Sequence, residues 1–222
     1  MRTVFLANSE GRLLDLIDME RWGGQACRNQ ILQVPCAKAF QAHARATLQN
    51  GHICAVLSPS REIKVFAEGA ELFTFRGARW HLLDLQAKYR LWAEAVGDDA
   101  LAMRIFQTAL DLADTREGAL FAVARDAETA VSQLVAPADR LDSLHSNIAD
   151  GSGPSRLDLL HLLEGRSITD LDPNVLAALA SLDGAIVMDR AGRLLAAGAI
   201  LRHPSTPESE KSGVVEGART TA

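Results

Sequence analysis

Gly118-Ala119-Leu120-Phe121-Ala122-Val123-Ala124 is an unbroken apolar run that stops on the charged pair Arg125-Asp126. As a strand, a run with no polar position has no face to offer solvent, so it predicts a strand buried on both sides within a central sheet. Such a strand requires neighbours in the sheet and helices against it. The segments downstream supply them. Asp172-Pro173 combines a capping carboxylate with proline at the first helical position and opens a helix through Ser181. Residues 184–188 are an apolar strand, Asp189-Arg190-Ala191-Gly192 is a turn, and residues 193–201 form a second strand rich in small side chains. The two strands predict a hairpin. Residues 157–163 read as a further helix, whereas residues 143–155 and 203–217, rich in Ser, Gly, Pro and Asp, read as loops.

Upstream, Leu85, Tyr89, Trp92 and Val96 fall on one helical face that ends at Gly97, and Ala102, Ile105, Phe106, Ala109, Leu110 and Ala113 keep the spacing of an amphipathic helix over residues 99–114. Before these helices the period changes. Residues 34–48 predict a helix started by Pro35, and residues 52–57, 62–66, 70–75 and 79–83 predict strands. Glu68-Gly69 and Arg76-Gly77 sit between strands as turns, which makes the group an antiparallel meander. Trp80, Tyr89, Trp92 and Phe106 are expected to pack the meander against the two helices. The fold class is therefore α/β (α+β), a mixed central sheet flanked by helices and preceded by a small helix plus an antiparallel β-meander. Residues 1–84 form the helix-and-meander module and residues 85–222 the α/β domain.

The formal net charge of −5 excludes non-specific binding to nucleic acid, which needs a basic surface. It leaves open a small phosphate ligand, held by backbone amides and one or two arginines. Cys27, Cys36 and Cys54 form no close pair and point to a reducing, cytoplasmic setting without a disulfide framework. No apolar stretch approaches the ~20 residues that cross a bilayer, and residues 1–16 carry too many polar side chains for a signal peptide. Neither membrane nor nucleic acid is an expected partner.

Three segments, in order along the chain, resemble the diadenylate cyclase family, and in particular the amino-terminal domain of the DNA-integrity scanning proteins. Gly118-Ala119-Leu120 through Arg125-Asp126 looks like the family's early core strand. Leu182-Asp183-Gly184-Ala185-Ile186-Val187-Met188, followed by Ala196-Ala197-Gly198, resembles its Asp-Gly-Ala motif and the Ala-rich strand after it. Glu216-Gly217-Ala218-Arg219-Thr220-Thr221 lies where the family has Gly-Thr-Arg-His-Arg. The resemblance implies a nucleotide site made by Asp183, Gly184, Ala185, Gly217, Arg219, Thr220 and Thr221. Asp183 would be the metal ligand for Mg²⁺ or Mn²⁺ and, in an active enzyme, the catalytic carboxylate. Two ATP molecules would be joined into cyclic di-AMP, each ribose 3′-hydroxyl attacking the partner's α-phosphate, so activity implies self-association of the domain face to face.

The third segment departs from the pattern. Ala218 replaces a threonine, and Thr220 and Thr221 stand where the family has histidine and a second arginine, removing two cationic or ionisable groups from the phosphate loop. The family fold also continues beyond this motif with a helix and further strands, so the domain is expected to be incomplete at Ala222. The expected function is a degenerate sensor or effector binding ATP or a related adenine nucleotide. An active diadenylate cyclase and a non-catalytic dimerisation scaffold are the alternatives.

Overall fold

The computed structural model describes residues 3–18, 32–48, 51–140, 163 and 166–202. The chain divides into two compact units, Met1–Leu91 and Trp92–Ala222. Among the described residues there are five α-helices and three sheets, one of them mixed, an α+β fold. No described helix is long and apolar enough to cross a membrane.

The first unit opens with an antiparallel hairpin, β1 (Thr3–Ala7) and β2 (Leu13–Asp18), which the sequence reading left without structure. Its turn is held by the Asn8 carboxamide, whose oxygen accepts from the amides of Glu10 and Arg12. The predicted helix over residues 34–48 is shorter than expected: a 3₁₀ turn at Lys38–Phe40 leads into α1 (Gln41–Ala46). The meander is present as β3 (Ile53–Leu57), β4 (Ile63–Ala67), β5 (Ala70–Arg76) and β6 (Arg79–Leu82), all antiparallel and in sequence order.

Phe66 on β4 is the centre of this unit's core. It is fully buried, stacks on Phe40 with ring centroids 5.8 Å apart, and meets His43 of α1 at 6.3 Å. The tight β4–β5 turn places Gly69 at φ +80°, where an added Cβ would lie 2.5 Å from Leu48 Cδ2. Its amide donates to Thr47 Oγ1 at 2.9 Å, and the Thr47 hydroxyl donates to the Ala44 carbonyl, so the turn is tied to the end of α1.

The boundary between the units falls within α2 (Leu85–Val96). In the second unit, α3 (Asp99–Thr115) follows, its amino end capped by Asp98, whose carboxylate accepts from the Leu101 amide at 2.8 Å. Then come β7 (Leu120–Ala124), α4 (Ala127–Leu134), α5 (Pro173–Ala180), β8 (Ala185–Asp189) and β9 (Leu194–Ala199). Asp172 caps α5 through the Asn174 amide, as Asp-Pro predicts. Residues 157–162 of the predicted helix and the two long loops lie outside the described residues, and Leu163 lies in a turn.

The strand order is β7-β8-β9, with β7 parallel and β9 antiparallel to β8. One expectation is corrected here. β7, the continuous apolar run, is half-buried along its whole length, whereas every residue of β8 is buried. β8 is the strand flanked on both edges. Its Ala185 and Val187 join Ala196, Ala199 and Val135 in one buried cluster, while Ile186 and Met188 alternate to the opposite face. Trp80 is a second correction: it is 57% exposed rather than core.

Phe66→Ala should destabilise the first unit by about 3–5 kcal/mol, because it removes a fully buried ring packed on Phe40 and His43 and leaves a cavity. Urea unfolding followed by circular dichroism measures this.

Candidate functional site

The residues nominated around Asp183 lie where α5 gives way to β8. α5 ends at Ala180, Ser181 caps it, and residues 181–184 bend into the strand. Asp183 is exposed, and no protein hydrogen bond or ion pair engages its carboxylate among the described residues. Ala185 is fully buried as the first residue of β8. Between them Gly184 adopts φ +114°, a conformation that side chains rarely take.

Space makes the same demand on Gly184. A Cβ there would sit 2.5 Å from the carbonyl carbon of Gly198, 2.6 Å from its oxygen and 2.9 Å from the Ala199 nitrogen, all backbone atoms that cannot swing aside. Gly198, at φ +64°, lies where the register slips between β8 and β9: Ala185 pairs with Ala199, but Val187 pairs with Ala196. This is a β-bulge, and it brings the two glycines together.

On the other side of β8, Leu120 is the register partner of Ala185. Leu120, Ala185 and Ala199 therefore form one row across the three strands. The segments that precede or meet this row are Gly118-Ala119, Asp183-Gly184 and Gly198. Two pieces of chain more than fifty residues apart in sequence thus converge on one end of the sheet, each bringing glycine and small side chains. At this end Asp183 is exposed, while the space beside Gly184 is filled by the Gly198 backbone.

The charged pair Arg125-Asp126 is not part of that end. It follows the other end of β7, since Ala124 pairs with Asp189. Asp126 is the amino cap of α4: its carboxylate accepts from the amides of Glu128 and Thr129 and from the Thr129 hydroxyl. The Thr129 side-chain hydrogen bond is the main reason its carboxyl is held below the usual carboxylate range, with the Thr129 and Glu128 amides acting in the same direction.

Asp189 is equally committed. It is buried, accepts at 2.9 Å from the amides of both Ala191 and Arg193, and pairs with Arg193 Nε at 2.7 Å. This carboxylate closes the β8–β9 turn and has no ligand-binding capacity to spare.

Gly217, Arg219, Thr220 and Thr221 lie outside the described residues. Among the described residues no group of three or more His, Cys, Asp or Glu side chains gathers as a metal site. A divalent cation at Asp183 would hold one protein carboxylate and complete its shell with phosphate and water oxygens, a mode that suits Mg²⁺.

The first unit contains a cavity of about 470 Å³, which sequence reading did not anticipate. Gly69, Leu72, Leu83 and Leu85 contribute to its wall together with Glu68, Glu71 and Asp84. Glu71 is paired with Lys64, and the Glu68 and Asp84 carboxylates disfavour phosphate. Cys54, also in this unit, is half-buried, and burial pushes its thiol up, away from a reactive thiolate. The chain matches no family model, no curated protein and no solved structure.

Two outcomes follow from this geometry. Gly184→Ala should cost about 2–3 kcal/mol from its backbone conformation alone, and more from the overlap with Gly198, whereas Asp183→Asn should change stability by under ~0.5 kcal/mol; parallel urea melts compare them. Removing the Asp126 cap by Asp126→Ala should lower stability at neutral pH. Because the folded-state pKa is lowered, the contribution is present above the unfolded carboxylate value and is lost as pH falls through the folded value. The gap between wild type and variant should therefore close on acidification, which melts recorded from pH 7 downward would reveal.

Proposed function

We propose that the second unit is a diadenylate-cyclase-like domain that binds ATP or a related adenine nucleotide at the Gly184–Gly198 end of its sheet, acting as a cytoplasmic sensor or effector. The observation that carries this reading is the convergence of Gly118-Ala119-Leu120 and Asp183-Gly184-Ala185 with Gly198-Ala199. The family pattern has Gly118-Ala119-Leu120, Asp183-Gly184-Ala185 and Ala196-Ala197-Gly198 at separate places in the sequence; Leu120 and Ala185 share one register row, which Ala199, next to Gly198, completes on β9.

Each residue has a chemical task in this reading. The small residues at this end of the sheet put no bulky side chain in the way of a nucleotide approaching Asp183. Asp183, exposed and uncommitted, ligates the Mg²⁺ or Mn²⁺ that accompanies the phosphates. Arg219 would supply charge-assisted bonds to phosphate oxygens, and Gly217, Thr220 and Thr221, its neighbours in sequence, would add amides and hydroxyls. Bound Mg²⁺ or Mn²⁺ would supply charge neutralisation. Binding requires only this much.

Cyclisation requires more. Two domains must oppose their nucleotides, and the developing charge at each α-phosphate needs stabilising groups of the kind replaced at Thr220 and Thr221. The sensor reading is preferred for that reason.

Isothermal titration of the full chain with ATP and Mn²⁺, alongside a chromatographic assay for cyclic di-AMP, tests the assignment. The expected result is binding without product, weakened at least about tenfold in both Asp183→Asn and Arg219→Ala. Formation of cyclic di-AMP would make the protein a cyclase instead. Neither binding nor product would overturn the nucleotide reading and leave a dimerisation scaffold.

A further inference from the structure

The four-stranded sheet of the first unit has its faces reversed relative to an ordinary half-buried sheet. On the solvent face, register places Leu57, Ile63, Phe75 and Trp80 in one row and Ala55, Val65, Phe73 and Leu82 in the next. Ile53 and Ala67 start a third. None of these side chains is charged or polar. Ile53, Leu57 and Leu82 are 73, 71 and 72% exposed, and Phe73 and Trp80 are 40 and 57% exposed.

The covered face carries the ionic groups. Lys64 is buried, paired with Glu71 at 3.4 Å and set over the Phe40 ring at 4.9 Å, and Thr74 is buried beside it in register. A half-buried antiparallel sheet normally alternates apolar inside and polar outside. Here the alternation is intact and the solvent side is the apolar one.

We infer that this apolar face is the dimerisation surface of the first unit, and that a second copy of the chain covers it sheet to sheet. Three observations select a copy over other occupants. The five most exposed side chains offer roughly 600 Å² of surface, close to the ~800 Å² per partner of a specific interface and at the upper limit of what a monomer leaves open.

The face is also four strands wide, roughly 15 Å between its outer strands at ~4.8 Å spacing. A single helix, ~10 Å across, would leave one edge uncovered. A second twisted sheet matches it across the whole width.

Finally, a two-fold interface sets the same patch against itself, and a face without charge meets no like charge when it does so. The lack of any cation on it disqualifies nucleic acid and anionic membrane surfaces. This association is independent of the face-to-face pairing of nucleotide domains that cyclisation would require, and it needs no nucleotide.

Sedimentation velocity on the full chain at micromolar concentration, without ATP, tests it. The wild type should sediment as a dimer. Ile53→Asp on β3 and Leu82→Asp on β6 should each weaken dimerisation at least about 100-fold, since each change enters a symmetric interface twice. Val175→Asp, an exposed position on α5 of the other unit, should leave the dimer intact. Far-UV circular dichroism checks the fold of every variant, and Ile53→Asn and Leu82→Gln replace any aspartate variant that loses its signal. A monomeric wild type overturns the inference. So does a dimer that persists unchanged in both face variants, which would place the association elsewhere in the chain.

Discussion

The backbone-to-backbone approach of Gly184 and Gly198 is the constraint on which the second unit turns. β8 is buried along its full length, so its amides and carbonyls must be paired by a strand on each edge. On the β9 side, pairing shifts register within a few residues, and the bulge that absorbs the shift pushes the Gly198 carbonyl against Gly184. A Cβ on Gly184 has no room there, and Gly198 takes φ +64°, a conformation that favours glycine. The small side chains of β9 follow from the same crowding: Ala196 and Ala199 are buried against Ala185 and Val187, where larger groups would force the strands apart.

That constraint also determines what is left for a ligand. Three aspartates border the β7–β8 pair, and their surroundings give them different chemistry. Asp189 is enclosed by the turn it closes, and Asp126 is consumed by the first turn of α4. Asp183 precedes the strand by two residues, on the bend that Gly184 makes possible, and retains both oxygens. The resemblance in the sequence points to Asp183 alone among them. The geometry separates them by asking which carboxylate has already been used.

Much of this was legible in the sequence, where local chemistry decides structure. Asp172-Pro173 announces α5, Gly97 ends α2, and Asp189 through Gly192 announces the hairpin turn, because capping and turn formation depend on a few adjacent residues. What depended on distant chain was not legible. The run from Leu120 to Ala124 has the composition of a strand buried on both faces, yet burial is set by what lies beside it, and the fully buried strand is β8. α1 stops after Ala46 because Thr47 turns its hydroxyl to the Ala44 carbonyl and accepts from Gly69, a partner twenty-two residues away. The β1–β2 hairpin was not legible because Asp15 and Asp18 fall three apart in β2, out of step with period-two alternation.

The meander shows the limit most sharply. Period-two alternation identified its strands and their turns, but alternation names two faces without saying which one is inside. Counting apolar residues would have placed Trp80 and Phe73 in the core. Instead α1 covers the face holding Phe66, and that face accepts Lys64 and Glu71 because each neutralises the other and the Phe40 ring takes the lysine's remaining field. A buried pair of this kind adds little net stability, so the arrangement is not explained by what it contributes inside. It is explained by what it releases outside: with the ionic residues turned inward, the opposite face is free of charge over two full rows across four strands. Such a surface is costly in water and favourable against its own copy, and the same alternation that looks ordinary in one dimension becomes, once folded, a specification for assembly.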